Sequence, residues 1–166
     1  MNQERIKAEK FFQKLWDKSL SKSLSWFIVG IFLFLIMIAS MLPAQEIYAD
    51  FENMAGVLTI LSFMAAAMRT AQFKQYAENQ KSRTMKELLQ YYPISKKVIW
   101  ELKMRTLLLF LAKVTGIALL LQCVVSLIAY GEITWLNFFY IIMCVFLFPL
   151  AGEIVFDGIM KTFIEE

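Results

Sequence analysis

The 166-residue chain contains no histidine and only two cysteines, Cys123 and Cys144. The first absence removes the most common metal ligand and general base. The two cysteines lie inside apolar blocks, where a disulfide framework or metal site has no partners, and both read as small buried apolar side chains. Charged residues make up only 19% of the chain, and a formal net charge of +3 is too small to imply a nucleic-acid partner. No Gly-x-x-x-x-Gly-Lys-[Ser/Thr] segment is present, which excludes ATP hydrolysis by a phosphate loop. The carboxylates sit in loops or near the ends of apolar blocks rather than in pairs, so acid–base and metal chemistry have no evident site. Neither an enzymatic activity nor a cofactor is expected of this chain.

Apolar side chains are abundant instead. Hydrophobic residues make up 59% of the sequence and aromatic ones 15%, with a mean hydropathy of +0.57, which is more apolar surface than one soluble core of this size can hide. They are grouped in long blocks rather than amphipathic stripes, as lipid-facing helices require. The expected fold is therefore an all-α integral membrane protein with four transmembrane helices.

The first block, Leu24 to Leu42, has 19 residues without a charge and at ~1.5 Å per residue reaches across about 28 Å. Its charged lead-in lacks the pattern of a removable signal, so the span is expected to be retained. The second block, Phe51 to Met68, carries Gly56, Ala65, Ala66 and Ala67, small residues that predict a protein-facing helix. That helix is expected to run on past Phe73, with Arg69 reaching to the interface. The third and fourth blocks, Thr106 to Tyr130 and Ile133 to Phe156, are joined by a tight turn at Gly131 and must be antiparallel neighbours. Pro149 is expected to kink the fourth. Trp26, Tyr48, Trp100, Tyr130 and Trp135 stand near the block ends, where aromatic belts form.

Apart from Lys113, every Lys and Arg precedes the first span, lies between the second and third, or follows the fourth. The other two loops offer only Glu46, Asp50, Glu52 and Glu132. The positive-inside rule thus places both termini and the middle loop in the cytoplasm of a cell-membrane protein. The division is an amphipathic interfacial helix over 1–23, a four-helix domain over 24–156 with a cytoplasmic loop at 69–104, and a tail over 157–166.

At 100° per residue, Lys7, Lys10, Lys14, Lys18 and Lys22 gather on one side of the first segment, with Ile6, Phe12, Trp16 and Leu20 roughly opposite. This pattern reads either as a helix lying on anionic lipid headgroups or as a solvated basic lead-in to the first span. In the middle loop, Thr84 and Glu87 have capping-box spacing and predict a short helix carrying Leu88, Leu89, Tyr91 and Tyr92 up to Pro93. Ser95 is expected to cap the helix that follows.

The run Arg83–Ile99, RTMKELLQYYPISKKVI, resembles the cytoplasmic loop of type-2 ABC transporter permeases, where a Glu-Leu-Leu helix precedes a Pro-Ile/Val-Ser-basic-basic turn. The resemblance implies that Glu87, Leu88 and Leu89 form a coupling helix docked on a separate cytoplasmic ATPase. It implies that Pro93, Ile94, Ser95, Lys96 and Lys97 return the chain to the membrane. Members of that family usually have six spans and this sequence shows four. Either further membrane subunits or a second copy complete the unit, or the loop belongs to a different four-helix protein.

Lys113, Glu153 and Asp157 are ionisable groups within or beside apolar stretches, and a Lys113–Glu153 contact between the third and fourth spans is one expectation. The other is that Lys113 snorkels to the inner headgroups. Gln122, Ser126 and Asn137 are expected to join helices. The resulting functional expectation is a permease subunit of an export complex that moves a lipid, peptide or drug-like molecule. The alternative is a membrane interaction protein, such as an immunity or regulatory subunit.

Overall fold

The computed structural model describes residues 2–18, 20–41, 44–73, 75–78, 81–84, 95–133 and 135–164, with backbone alone for some of them, including Trp16, Lys18, Leu20, Lys96 and Asp157. Helices carry almost all of the described residues. The first two are α1 (Asn2–Lys18) and α2 (Leu20–Met41), followed by α3 (Ala44–Thr70), which begins well before Phe51.

α3 does not continue past Phe73. It tightens into a 3-10 turn at Ala71–Phe73, where Thr70 Oγ1 donates to the carbonyls of Ala66 and Ala67 at 3.1 and 3.2 Å. The Phe73 side chain is drawn into an apolar cluster with α1. A two-stranded antiparallel hairpin follows, β1 (Gln75–Glu78) with β2 (Lys81–Thr84), pairing Gln75 with Thr84 and Glu78 with Lys81. Thr84 thus ends in extended backbone, a conformation that a helix N-cap also takes. The helix expected after it, with Glu87, Leu88, Leu89, Tyr91, Tyr92, Pro93 and Ile94, lies outside the described residues.

α4 (Lys96–Tyr130) is a single helix of 35 residues, about 52 Å long at ~1.5 Å per residue. Ser95 caps it as the sequence predicts: its backbone is extended and its side chain accepts from the Val98 amide at 3.4 Å. The helix ends on Gly131 at φ 70°, ψ 1°, whose N–H donates to Leu127 O at 3.0 Å. A side chain in this left-handed conformation costs roughly 1–2 kcal/mol. Gly131→Ala is therefore expected to lower thermal stability in detergent by about that amount, with Glu132→Ala as a near-neutral control.

The last helix is built in three parts: α5 (Trp135–Ile141), a π-helical segment (Ile142–Leu147) and α6 (Phe148–Ile164). Pro149 has no N–H to give to the carbonyl one turn earlier, and its ring crowds that turn. The widened turn ends just before it, with Phe148 N–H donating to Met143 O, five residues back. A π-turn, one of the usual sites of a helix kink, thus stands directly before Pro149, where the kink is expected.

α2, α3, α4 and the α5–α6 helix pack around one core. Phe32 and Ile36 of α2, Leu58 and Ala66 of α3, Leu107 and Leu111 of α4 and Val145 of the π-turn are fully buried in it. Ala65 and Ala66 bring α3 close to α2, where Ser25 Oγ donates to Ala65 O at 3.3 Å; Gly56 is exposed instead. α3 and α6 also approach closely, since a Cβ on Gly152 would stand 2.8 Å from the Phe63 ring.

Two described stretches, Lys97–Ile128 and Trp135–Phe156, are long and apolar enough to cross a membrane, while Lys22–Ile38 and Ala55–Thr70 are shorter apolar helices. Large apolar side chains are widely exposed on the outside of the bundle while several polar ones lie inside it. Phe27, Leu120 and Ile128 are 66%, 68% and 82% exposed, whereas Gln122, Asn137 and Glu153 are buried.

Candidate functional site at the basic end of the bundle

The termini of α1, α3 and α4 that carry most of the Lys and Arg residues meet at one end of the bundle. There α1 turns its apolar face onto protein. Ala8 and Phe12 are buried against Phe73, Val98, Ile99 and Leu102, forming a second apolar cluster separate from the main core. The Phe12 ring lies 4.7 Å from that of Phe73 and 5.5 Å, edge-on, from that of Phe11. Of the four residues expected on the lipid-facing side of this helix, Phe12 instead contacts the chain itself and Ile6 is half-exposed. The side chains of Trp16 and Leu20 are outside the described set. Lys10 and Lys14 are exposed, as their polar face requires. A half-exposed pair, Arg105 Nη1 to Glu9 Oε1 at 3.6 Å, links α1 to α4 and adds no more than about 1 kcal/mol.

The first turns of α4 are also tied to α6. Lys103 Nζ stands 3.1 Å from Glu153 Oε2, with side-chain exposures of 7% and 1%. The expected Lys113–Glu153 contact is therefore replaced by one made a few turns nearer the start of α4. Ten residues at ~100° each leave Lys113 on a different face from Lys103, and the π-turn resets the facing of everything after Leu147. Lys113 is exposed. Lys103 carries no signal in the sequence beyond being one of several basic residues in the loop.

Between α1, α2, the end of α3 and α4 lies a cavity of about 260 Å³. Its charged lining is Arg69, Lys113 and Glu9, and its apolar lining includes Phe12, Phe73, Trp26, Leu109 and Phe110. Trp26 and Phe110 meet edge-on at 6.0 Å.

Further into the bundle lie other buried polar groups. Gln122 Nε2 donates to Ser126 Oγ at 2.8 Å along α4. Ser62 Oγ, Thr115 Oγ1 and the Asn137 amide have no hydrogen-bond partner among the described residues. No cluster of His, Cys, Asp or Glu that would hold a metal occurs among those residues.

Comparison with known proteins names no relative. No family model, no curated protein and no solved structure matches the chain. Function must be argued from the arrangement itself: a long helix that starts at the basic loop, is gripped by α1 and is bolted to α6 by a buried ion pair.

Proposed function

We propose that this chain is a membrane-spanning permease subunit of an ABC-type export complex, driven by a separate cytoplasmic ATPase. The membrane part of the reading rests on the two long apolar helices, the exposed apolar belt and the buried polar groups. With α2 and α3 as the other two spans, both Lys/Arg-rich segments, together with Lys161 after the fourth span, fall on one side, which the positive-inside rule makes the cytoplasm. Trp26, Trp100 and Trp135, each about half-exposed or more, then stand near the two interfaces.

The observation that carries the coupling part is α4. It begins at the Ser95 cap, directly after residues 85–94 of the chain, and runs unbroken to Tyr130. A push on the loop is thus delivered to a stiff rod, and the α1 cluster and the Lys103–Glu153 pair spread it to α1 and α6. In this reading Glu87, Leu88 and Leu89 meet the ATPase, and other membrane subunits or a second copy complete the pathway for a lipid, peptide or drug-like molecule.

The test is a gentle-detergent pulldown of the native complex beside a Leu88→Glu/Leu89→Glu variant, with co-purifying chains identified by mass. An ATPase retained by the native chain and lost from the variant is the expected result. An ATPase retained by both removes the loop from the coupling role. No ATPase with either leaves a membrane interaction protein, such as an immunity or regulatory subunit.

A further inference from the structure

The last helix leaves one backbone acceptor unserved at its widened turn. Phe148 N–H donates to Met143 O, five residues back, and Pro149 has no N–H to offer. The carbonyl of Cys144, which one of those two amides serves in a regular or an evenly widened helix, receives neither. Cys144 and Val145 are 2% and 0% exposed and Pro149 is buried as well, so bulk solvent does not reach this carbonyl. A buried acceptor left without a donor is unfavourable.

A hydroxyl on the neighbouring helix is equally unserved. Thr59 Oγ1 of α3 donates to Ala55 O at 2.7 Å, and Thr70 Oγ1 to Ala66 O at 3.1 Å, the bond to the preceding turn that Ser and Thr ordinarily make inside a helix. Ser62 Oγ makes no such bond. It has no partner among the described residues, although Ser62 is only 5% exposed.

The two helices meet at one small cavity. Ser62 and Val145 both line a space of about 10 Å³ whose other walls are apolar, among them Phe32 of α2 and Leu111 of α4. α3 packs along the last helix here, since Phe63, next to Ser62, stands against Gly152. The volume is about that of one water, which needs roughly 10–15 Å³, and is far below the ~300–1,000 Å³ of a small-molecule site.

We propose that this cavity holds one structural water, which donates to the Cys144 carbonyl and accepts from the Ser62 hydroxyl. Backbone groups freed by proline in apolar surroundings are served by ordered water or by Ser and Thr of a neighbouring helix; here the two act in series. The bridge ties α3 to the last helix at the level where that helix widens, about two turns before Glu153. It is independent of the ATPase.

A structure of the full chain at a resolution that shows ordered water is expected to place one water within about 3.2 Å of both Ser62 Oγ and Cys144 O. A dry cavity, or Ser62 bonded within its own helix to Leu58 O, overturns the site. Unfolding in detergent, followed by tryptophan fluorescence, gives the energetic test. Ser62→Ala is expected to lower the folding equilibrium constant about five- to tenfold, the worth of roughly one buried hydrogen bond. Pro149→Ala restores an N–H that serves Cys144 directly in the widened register, or releases Phe148 N–H to do so in the regular one. In that background Ser62→Ala is expected to lose less than about twofold. Thr59→Val, which removes a hydroxyl already bonded within α3, is expected to give the same fold-change in both backgrounds. Equal losses for Ser62→Ala with and without Pro149 overturn the bridge, as does coupling of the same size at Thr59. Should Pro149→Ala not fold, the structure of Ser62→Ala decides: loss of the water is expected, and a water retained in place overturns Ser62 as its anchor.

Discussion

Lys103→Met is expected to destabilise the bundle by about 3–5 kcal/mol, because it leaves the Glu153 carboxylate buried without the cation 3.1 Å from it. Glu153→Leu removes the carboxylate 3.1 Å from the buried Lys103 ammonium and is expected to cost a similar amount. The two losses do not add. With both charges gone, neither member of the pair has to be desolvated, so Lys103→Met/Glu153→Leu is expected to recover part of the stability lost in the single variants. Unfolding followed by tryptophan fluorescence in detergent, on the native chain and the three variants, gives the coupling energy directly. A double variant no better than the worse single one would mean that the pair does not hold α4 to α6. The cycle also bears on function. If α4 passes motion from the loop to α6 through this contact, the stable double variant keeps its fold and loses ATPase-driven transport.

How much of this was legible in the sequence depends on what each feature needs. The placement of the helices needs only uncharged length, so the blocks, the Gly131 turn and the Ser95 cap were readable. The face that each helix turns inward needs a contrast between core and surround, and in lipid that contrast is missing. Phe32 and Ile36 of α2 are buried while Phe34 and Ile38, of the same types two residues on, are exposed. For the same reason the partner of Glu153 could not be chosen by depth alone. Depth made Lys113 plausible, but helical facing selects Lys103, and the π-turn that sets the facing of Glu153 has no sequence signal beyond Pro149. The β1–β2 hairpin was missed because its strands, QYAE and KSRT, are short, polar and poor in β-branched residues. Of the residues read as the expected coupling loop, the described structure reaches only Thr84, Ser95, Lys96 and Lys97.

Phe12→Ala is expected to free α1 from the rest of the chain. The Phe12 ring is 2% exposed and fills a cluster with six buried members among the described residues, so its removal costs about 3–5 kcal/mol. The Glu9–Arg105 pair is half-exposed and offsets no more than about 1 kcal/mol of that loss. Protection of the 2–18 amides against hydrogen exchange is therefore expected to fall by about two orders of magnitude or more, while protection in α4 beyond Leu107 stays unchanged. Ile6→Ala, at a position 51% exposed, serves as the neutral control. Phe73→Ala separates docking on protein from burial in lipid. Phe73 is across the contact, 4.7 Å away ring to ring, and its truncation is expected to free α1 as Phe12→Ala does. A helix held by headgroups would ignore Phe73→Ala, and its exchange would respond instead to the fraction of anionic lipid.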